Sequence, residues 1–241
     1  MKKFGILILA ALAGGSWMRA QDRPMERIFV SLSQPDRPGT LVIKHDKGSI
    51  SVLGYEGNEV IVEATRRPPQ TSGEVDRDAQ GMTRVPAAAI QISARELNNT
   101  VTVISNSRDE TLDLNVKVPR RFSLHLGTIH NGRIVVRNVE GEFEISNTNG
   151  DIQLEATSVR GGIETTNGDV RIGAGSRVEG GIHVEKPGGW GWNKPKTLPR
   201  ITVESGAVVD GALRFDREVE LAVAADVTIG PIEGVAPRRV P

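Results

Sequence analysis

The sequence predicts an all-β chain whose centre and C-terminal half coil into a β-solenoid, a parallel β-helix-like stack with rungs of about 18 residues. Three observations predict it. Past the N-terminus, no stretch shows a 3.6-residue apolar period. Glycine occupies 27 of 241 positions among many Val, Ile and Thr, a composition of short strands joined by tight bends. Finally, Asn131-Gly132-Arg133-Ile134-Val135-Val136 recurs as Asn149-Gly150-Asp151-Ile152-Gln153-Leu154 and Asn167-Gly168-Asp169-Val170-Arg171-Ile172, each copy 18 residues after the last.

Taken in order, the chain opens with Lys2 and Lys3, an apolar run over residues 4–15, and polar text from Arg19. That layout predicts a signal peptide over residues 1–20, cleaved after Ala20, although Met18 is a poor match to the small residue expected two positions earlier. The run is too short to span a bilayer comfortably, so no transmembrane segment is expected after cleavage. No cysteine follows it to be acylated. About 220 residues then remain, enough for one domain with a real core. The expected domain covers residues 21–230 and begins with N-terminal strands.

Strand text covers residues 28–32, 41–44, 49–53 and 59–65, the last with Val60, Val62 and Ala64 on one face. Residues 66–87 hold three prolines, two glycines and mixed charge, and predict an exposed loop insertion. Strands resume at 90–94 and 101–105, joined as a hairpin through Leu97-Asn98-Asn99. Leu112, Leu114, Val116 and Val118 then alternate with polar residues up to Pro119.

The repeat aligns two apolar columns, Ile134/Ile152/Val170 and Val136/Leu154/Ile172. Between its copies runs a second series led by Phe143, Ile163 and Ile182, spaced 20 and 19 residues apart. Alternation turns one face inward and leaves Arg133, Glu142, Glu144, Asp151, Gln153, Glu164, Asp169, Arg171 and His183 outside. Asn131, Gly132, Asn149, Gly150, Asn167 and Gly168 are the expected structural corners. There Gly would supply positive φ and the stacked Asn side chains an amide ladder. An antiparallel meander also uses Asn-Gly turns, but it does not explain why every second strand repeats at fixed spacing. Beyond Val184, residues 186–199 predict a second loop, carrying Trp190 and Trp192. Short β text returns at 201–204, 206–209, 211–215, 219–223 and 227–229, and residues 231–241 read as a flexible tail.

The Asn-Gly-Asp-Ile/Val corners at 149–152 and 167–170, the Gly-x-Ile/Phe-Glu strands between them and the lead-in Val118-Pro119-Arg120 resemble the bacterial DUF4097 family, labelled adhesin by likeness. The resemblance covers residues 28–230 in style and 111–185 in specific motif. It implies a β-solenoid on or outside the cell envelope and names no ligand. Residues 206–215 are faintly similar to bactofilin-type solenoids, which polymerise.

Thirty basic and thirty acidic residues cancel, giving no electrostatic reason to expect a nucleic-acid partner. Cysteine is absent, so stability must come from packing and backbone hydrogen bonds. His45, His125, His130 and His183 are scattered without metal-ligand spacing and read as surface residues; no metal or cofactor is expected. No Gly-x-Ser-x-Gly elbow or phosphate-cradling loop is present. Carboxylates on neighbouring rungs can approach at the spacing glycoside hydrolysis uses, yet any regular solenoid surface offers such pairs. Arg133 and Arg171 in the register of Asp151 predict a mixed charge ladder instead. Trp190 and Trp192 are the candidate ligand or partner contacts, since flat aromatics flanked by Gly, Pro and Lys stack on sugars or anchor proteins; the competing role is to fold back over the solenoid.

The expected protein is therefore exported, whether periplasmic, outer-envelope associated or secreted. It is read as non-enzymatic, and as adhesive or structural. Its partners would be an envelope glycan, another envelope protein, or further copies meeting at the solenoid ends. A carbohydrate-active solenoid enzyme and a self-assembling scaffold are the alternatives.

Overall fold

The computed structural model describes residues 25–67, 90, 92–105, 110–130, 132–188 and 197–241. The expected signal peptide, most of the 66–87 loop, Asn131, Trp190 and Trp192 lie outside the described residues. Every regular element described is a strand, and the chain is a β-solenoid.

Eight strands precede the repeat: β1 (Met25–Ser31), β2 (Gly39–Lys47), β3 (Ile50–Tyr55), β4 (Glu59–Arg66), β5 (Ile92–Leu97), β6 (Thr100–Ser105), β7 (Leu112–Pro119) and β8 (Phe122–His130). Alternation does in them what it does in the repeat: Val60, Val62 and Ala64 of β4, and Leu112, Leu114, Val116 and Val118 of β7, point inward and are buried. The strands begin two sheets. Sheet A runs β1-β4-β7-β3, and sheet B begins β5-β6-β2-β8. β1, β4 and β7 pair antiparallel, whereas β3 with β7, and β2 with both β6 and β8, pair parallel. β5 and β6 form the expected hairpin, turning through Asn98 (φ 51°) and Asn99 (φ 62°), two residues of the type that tolerates the left-handed region. Chain order and stacking order differ here. The β2–β3 layer lies between β6–β7 and the repeat.

From β9 (Ile134–Arg137) each rung has three sides. β10 (Glu140–Gly141) starts a third sheet and β11 (Phe143–Asn147) continues sheet B. The next rungs are β12 (Ile152–Glu155), β13 (Ser158–Val159), β14 (Ile163–Thr165), then β15 (Val170–Ile172), β16 (Arg177–Val178), β17 (Ile182–Val184), then β18 (Arg200–Val203), β19 (Val208–Val209), β20 (Leu213–Phe215). β21 (Glu220–Val223), β22 (Ile232–Gly234) and β23 (Arg238–Arg239) follow. The predicted columns stack in register and lengthen at both ends: Ile50, Ile134, Ile152, Val170, Ile201 and Leu221 form one, with Val52, Val136, Leu154, Ile172 and Val203 beside it. All eleven are at most 1% exposed, and burying each such side chain contributes about 1.5–3 kcal/mol before ordering costs.

Two expectations change. In sheet B the column under Ile163 and Ile182 is led by Ile145, not Phe143; β11 starts two residues early, and Phe143 aligns with Leu124 of β8. The expected flexible tail over 231–241 instead contains β22 and β23. Their backbones add to sheets B and A, through bonds such as Leu213 N–H to Pro231 O (2.8 Å) and Arg238 N–H to Val219 O (2.9 Å). Edge pairing of this kind needs no buried side chain, so polar composition does not betray it.

Candidate functional site

The corners explain which residues the coil itself requires. Gly132, Gly150 and Gly168 do not adopt positive φ, contrary to expectation. They are needed because rungs approach closely: a Cβ on Gly150 would run into the carbonyl of Gly132, and one on Gly168 into that of Gly150. Gly48 stands in the same stack, below Gly132. The text Gly48-Ser49-Ile50-Ser51-Val52 is thus an unrecognised further copy of the Gly-x-Ile-x-Val corner, a signal the sequence did contain. Among the described residues the amide ladder joins Asn167 and Asn149. Asn167 Nδ2 donates to Asn149 Oδ1 (2.9 Å), Asn149 Nδ2 to Ile129 O (2.8 Å), and Arg217 caps the row by donating to Asn167 Oδ1 (2.9 Å).

Inside the same corner runs a polar column, in register His45, Thr128, Asn147 and Thr165. Asn147 is fully buried; its Nδ2 donates to Gly132 O (2.7 Å) and its Oδ1 accepts from Gly150 N–H (3.0 Å). Thr165 Oγ1 accepts from Gly168 N–H (3.1 Å). His45 bonds Leu112 O through Nε2 (2.7 Å) and is buried, so the surface reading of the histidines fails for this one. Its inward position follows from strand alternation in β2.

The outer face of sheet A carries the expected charge ladder. Arg133 pairs with Asp151 (3.1 Å), Arg200 donates its N–H to Asp169 (2.8 Å), and its guanidinium reaches Glu220 (2.8 Å). Arg171 is one row over, opposite Gln153, and pairs with Glu204 rather than an aspartate of the Asp151 row. Such exposed pairs contribute about 0–1 kcal/mol each. Among the described residues, every carboxylate whose titration is displaced is held low. The Arg137 hydrogen bond acts on Glu155, His183 on Asp216, the Ser33 hydroxyl on Glu96 and the Ser205 hydroxyl on Asp226. Groups depressed in the folded state contribute stability above their unfolded pKa and lose it as pH falls through the folded one. The melting temperature should therefore hold from neutral pH down to the carboxylate range, below about pH 5, and then fall. Arg137→Gln should shrink that acid-side drop; an unchanged melting profile between the two proteins would count against it.

A cleft of about 580 Å³ opens where the turns after β1, β3 and β7 meet. Parallel pairing of Tyr55 with Pro119 brings the β3 and β7 ends together. The Tyr55 hydroxyl donates to Glu59 O (2.9 Å), burial raises its pKa, and its ring lies against Gly57, where any Cβ would displace it. Arg120 is tied to Glu56 (2.8 Å). The opposite wall, residues 34–38, is pinned by the Asn99 side chain: Nδ2 donates to the carbonyls of Gln34 (3.0 Å), Arg37 (3.1 Å) and Pro38 (3.3 Å), while Oδ1 accepts from Gln34 N–H (3.0 Å). The cleft is not legible in the sequence because its lining comes from three turns far apart in the chain. A second groove, about 490 Å³, lies on the outer face of sheet B around Val42, Gly127, His125 and Glu144, the last two 2.9 Å apart. Among the described residues no group of three His, Asp or Glu is placed to hold a metal ion, and no helix is long and apolar enough to cross a membrane.

No family model and no curated protein matches the chain. Among solved structures, it is similar to a candidate cell adhesion protein of Clostridium sporogenes at 8% identity and a TM-score of 0.28, over 90% of this chain and 100% of that one. A candidate lipid binding protein of Parabacteroides distasonis is 11% identical with a TM-score of 0.33, over 91% of this chain and 98% of that chain. A candidate adhesin of Parabacteroides merdae is 11% identical with a TM-score of 0.28, over the same shares of 91% and 98%.

Proposed function

We propose that this chain is an exported, non-enzymatic module of the bacterial envelope that adheres to or supports neighbouring envelope material, as its resemblance to the DUF4097 family implies. The observation that supports this best is how the outer faces are used. Arg133, Arg137, Arg171, Arg177 and Arg200 each meet a carboxylate of another rung, so these charges are engaged along the stack rather than gathered in a catalytic cluster. The displaced carboxylates favour the ionised form, whereas a glycosidase acid needs its pKa raised.

The test is to incubate the purified protein with envelope polysaccharide and follow cosedimentation and release of sugar fragments together. Cosedimentation without fragments is expected; fragment release would establish the enzymatic alternative. Trp190→Ala with Trp192→Ala examines the proposed aromatic contacts. Cosedimentation should weaken about tenfold or more, and equal binding would remove these two residues from the account. Concentration-dependent filaments in light scattering would favour the scaffold reading.

A further inference from the structure

We propose that the cleft beside Tyr55 is a subsite for an acidic sugar, taking the carboxylate of a uronate unit in an extracellular polysaccharide; this rests on the adhesive reading above. Its walls are held before any ligand arrives. Tyr55 is fixed at both ends, by Gly57 against the ring and Glu59 O at the hydroxyl, and Asn99 clamps the facing turn through four hydrogen bonds. Preorganised walls reduce the ordering cost of binding.

The lining chemistry selects the ligand. Arg37, Arg120 and Arg121 line the cleft together with Asp36 and Glu56. Arg37 is bonded to Gln34 Oε1 (2.9 Å) and Arg120 to Glu56, while Arg121 is exposed and makes no ion pair among the described residues. The Arg121 guanidinium is thus available to a carboxylate, which it can meet with two parallel hydrogen bonds. The flanking Asp36 and Glu56 repel densely charged ligands such as polyphosphates or nucleic acid. Tyr55 with Pro35, Pro38 and Pro119 supplies flat apolar surface for the C–H face of a pyranose. Asn58 and the two carboxylates offer partners for its hydroxyls. The volume is in the range of small-ligand sites.

The experiment titrates the full chain by calorimetry and saturation-transfer NMR with tetramers of galacturonate, glucuronate and mannuronate, beside the same tetramers with carboxyls reduced to alcohols. At least one uronate tetramer should bind, and its reduced form should bind about tenfold more weakly or worse, as removal of a charge-assisted contact predicts. Arg121→Gln, an exposed change that leaves the fold intact by circular dichroism, should weaken binding to a similar extent. Tyr55→Ala should do the same, and Arg133→Gln, outside the cleft, should leave binding unchanged. Absence of binding by all three uronates at millimolar concentration overturns the proposal, as does undiminished binding by both cleft variants. If the chain still cosediments with polysaccharide in either case, only the subsite is lost; if it does not, the adhesive reading falls with it.

Discussion

Gly150→Ala is expected to lower the unfolding free energy by about 2–4 kcal/mol, because the new methyl must displace the backbone of the adjacent rung. The obstacle is the carbonyl of Gly132, and it is not a flexible side chain that can swing aside. Moving it would strain the stack on both sides, where Ile134 N–H bonds Asp151 O and Ile152 N–H bonds Asp169 O, each at 2.8 Å. Gly127→Ala is the matched control. Nothing lies within 4 Å of a Cβ there, so that change should be neutral or stabilising by about 0.4–1 kcal/mol through the unfolded chain. Urea denaturation of the two variants reads the difference directly. Equal midpoints would mean that the corner glycines are not required by close approach.

Asn147→Ala should cost about 2–5 kcal/mol in the same measurement. It strips partners from two buried backbone groups, the Gly132 carbonyl and the Gly150 N–H, and each unsatisfied group costs about 1–3 kcal/mol. The following rung suggests the rescue. Thr165 occupies the same register position and its hydroxyl serves Gly168 N–H at 3.1 Å, so Asn147→Thr should recover a large part of the loss. If alanine and threonine are equally destabilising, the corner is held by packing and not by these hydrogen bonds.

The two predictions also mark what could be read from sequence. The repeat marks position 150 as a corner for a torsional reason, which the structure replaces with a steric one. A repeat reveals that a glycine is required at each turn; it does not reveal what stands above it. Asn147 is not legible in the sequence because its column changes chemistry from rung to rung, His45 to Thr128 to Asn147 to Thr165, and so never appears as a repeat. Trp190 and Trp192 stand out by residue type alone, whereas Tyr55 and Arg121 come to line one cleft only because the ends of β3 and β7 meet.

By itself the sequence determined the β-solenoid, its rung length and the two apolar columns over residues 134–172, since strand alternation and a fixed period are properties of neighbouring residues and equal spacings. Only the tertiary structure decided that β2–β3 stack between β6–β7 and the repeat, that His45 turns inward, and that Tyr55, Gly57 and Arg121 line one cleft whose facing turn Asn99 clamps. The physical reason is the parallel pairing of the N-terminal strands. Its partners, such as Ile50 with Leu114 and with Ile134, are joined by long connections and by backbone bonds that carry no residue code.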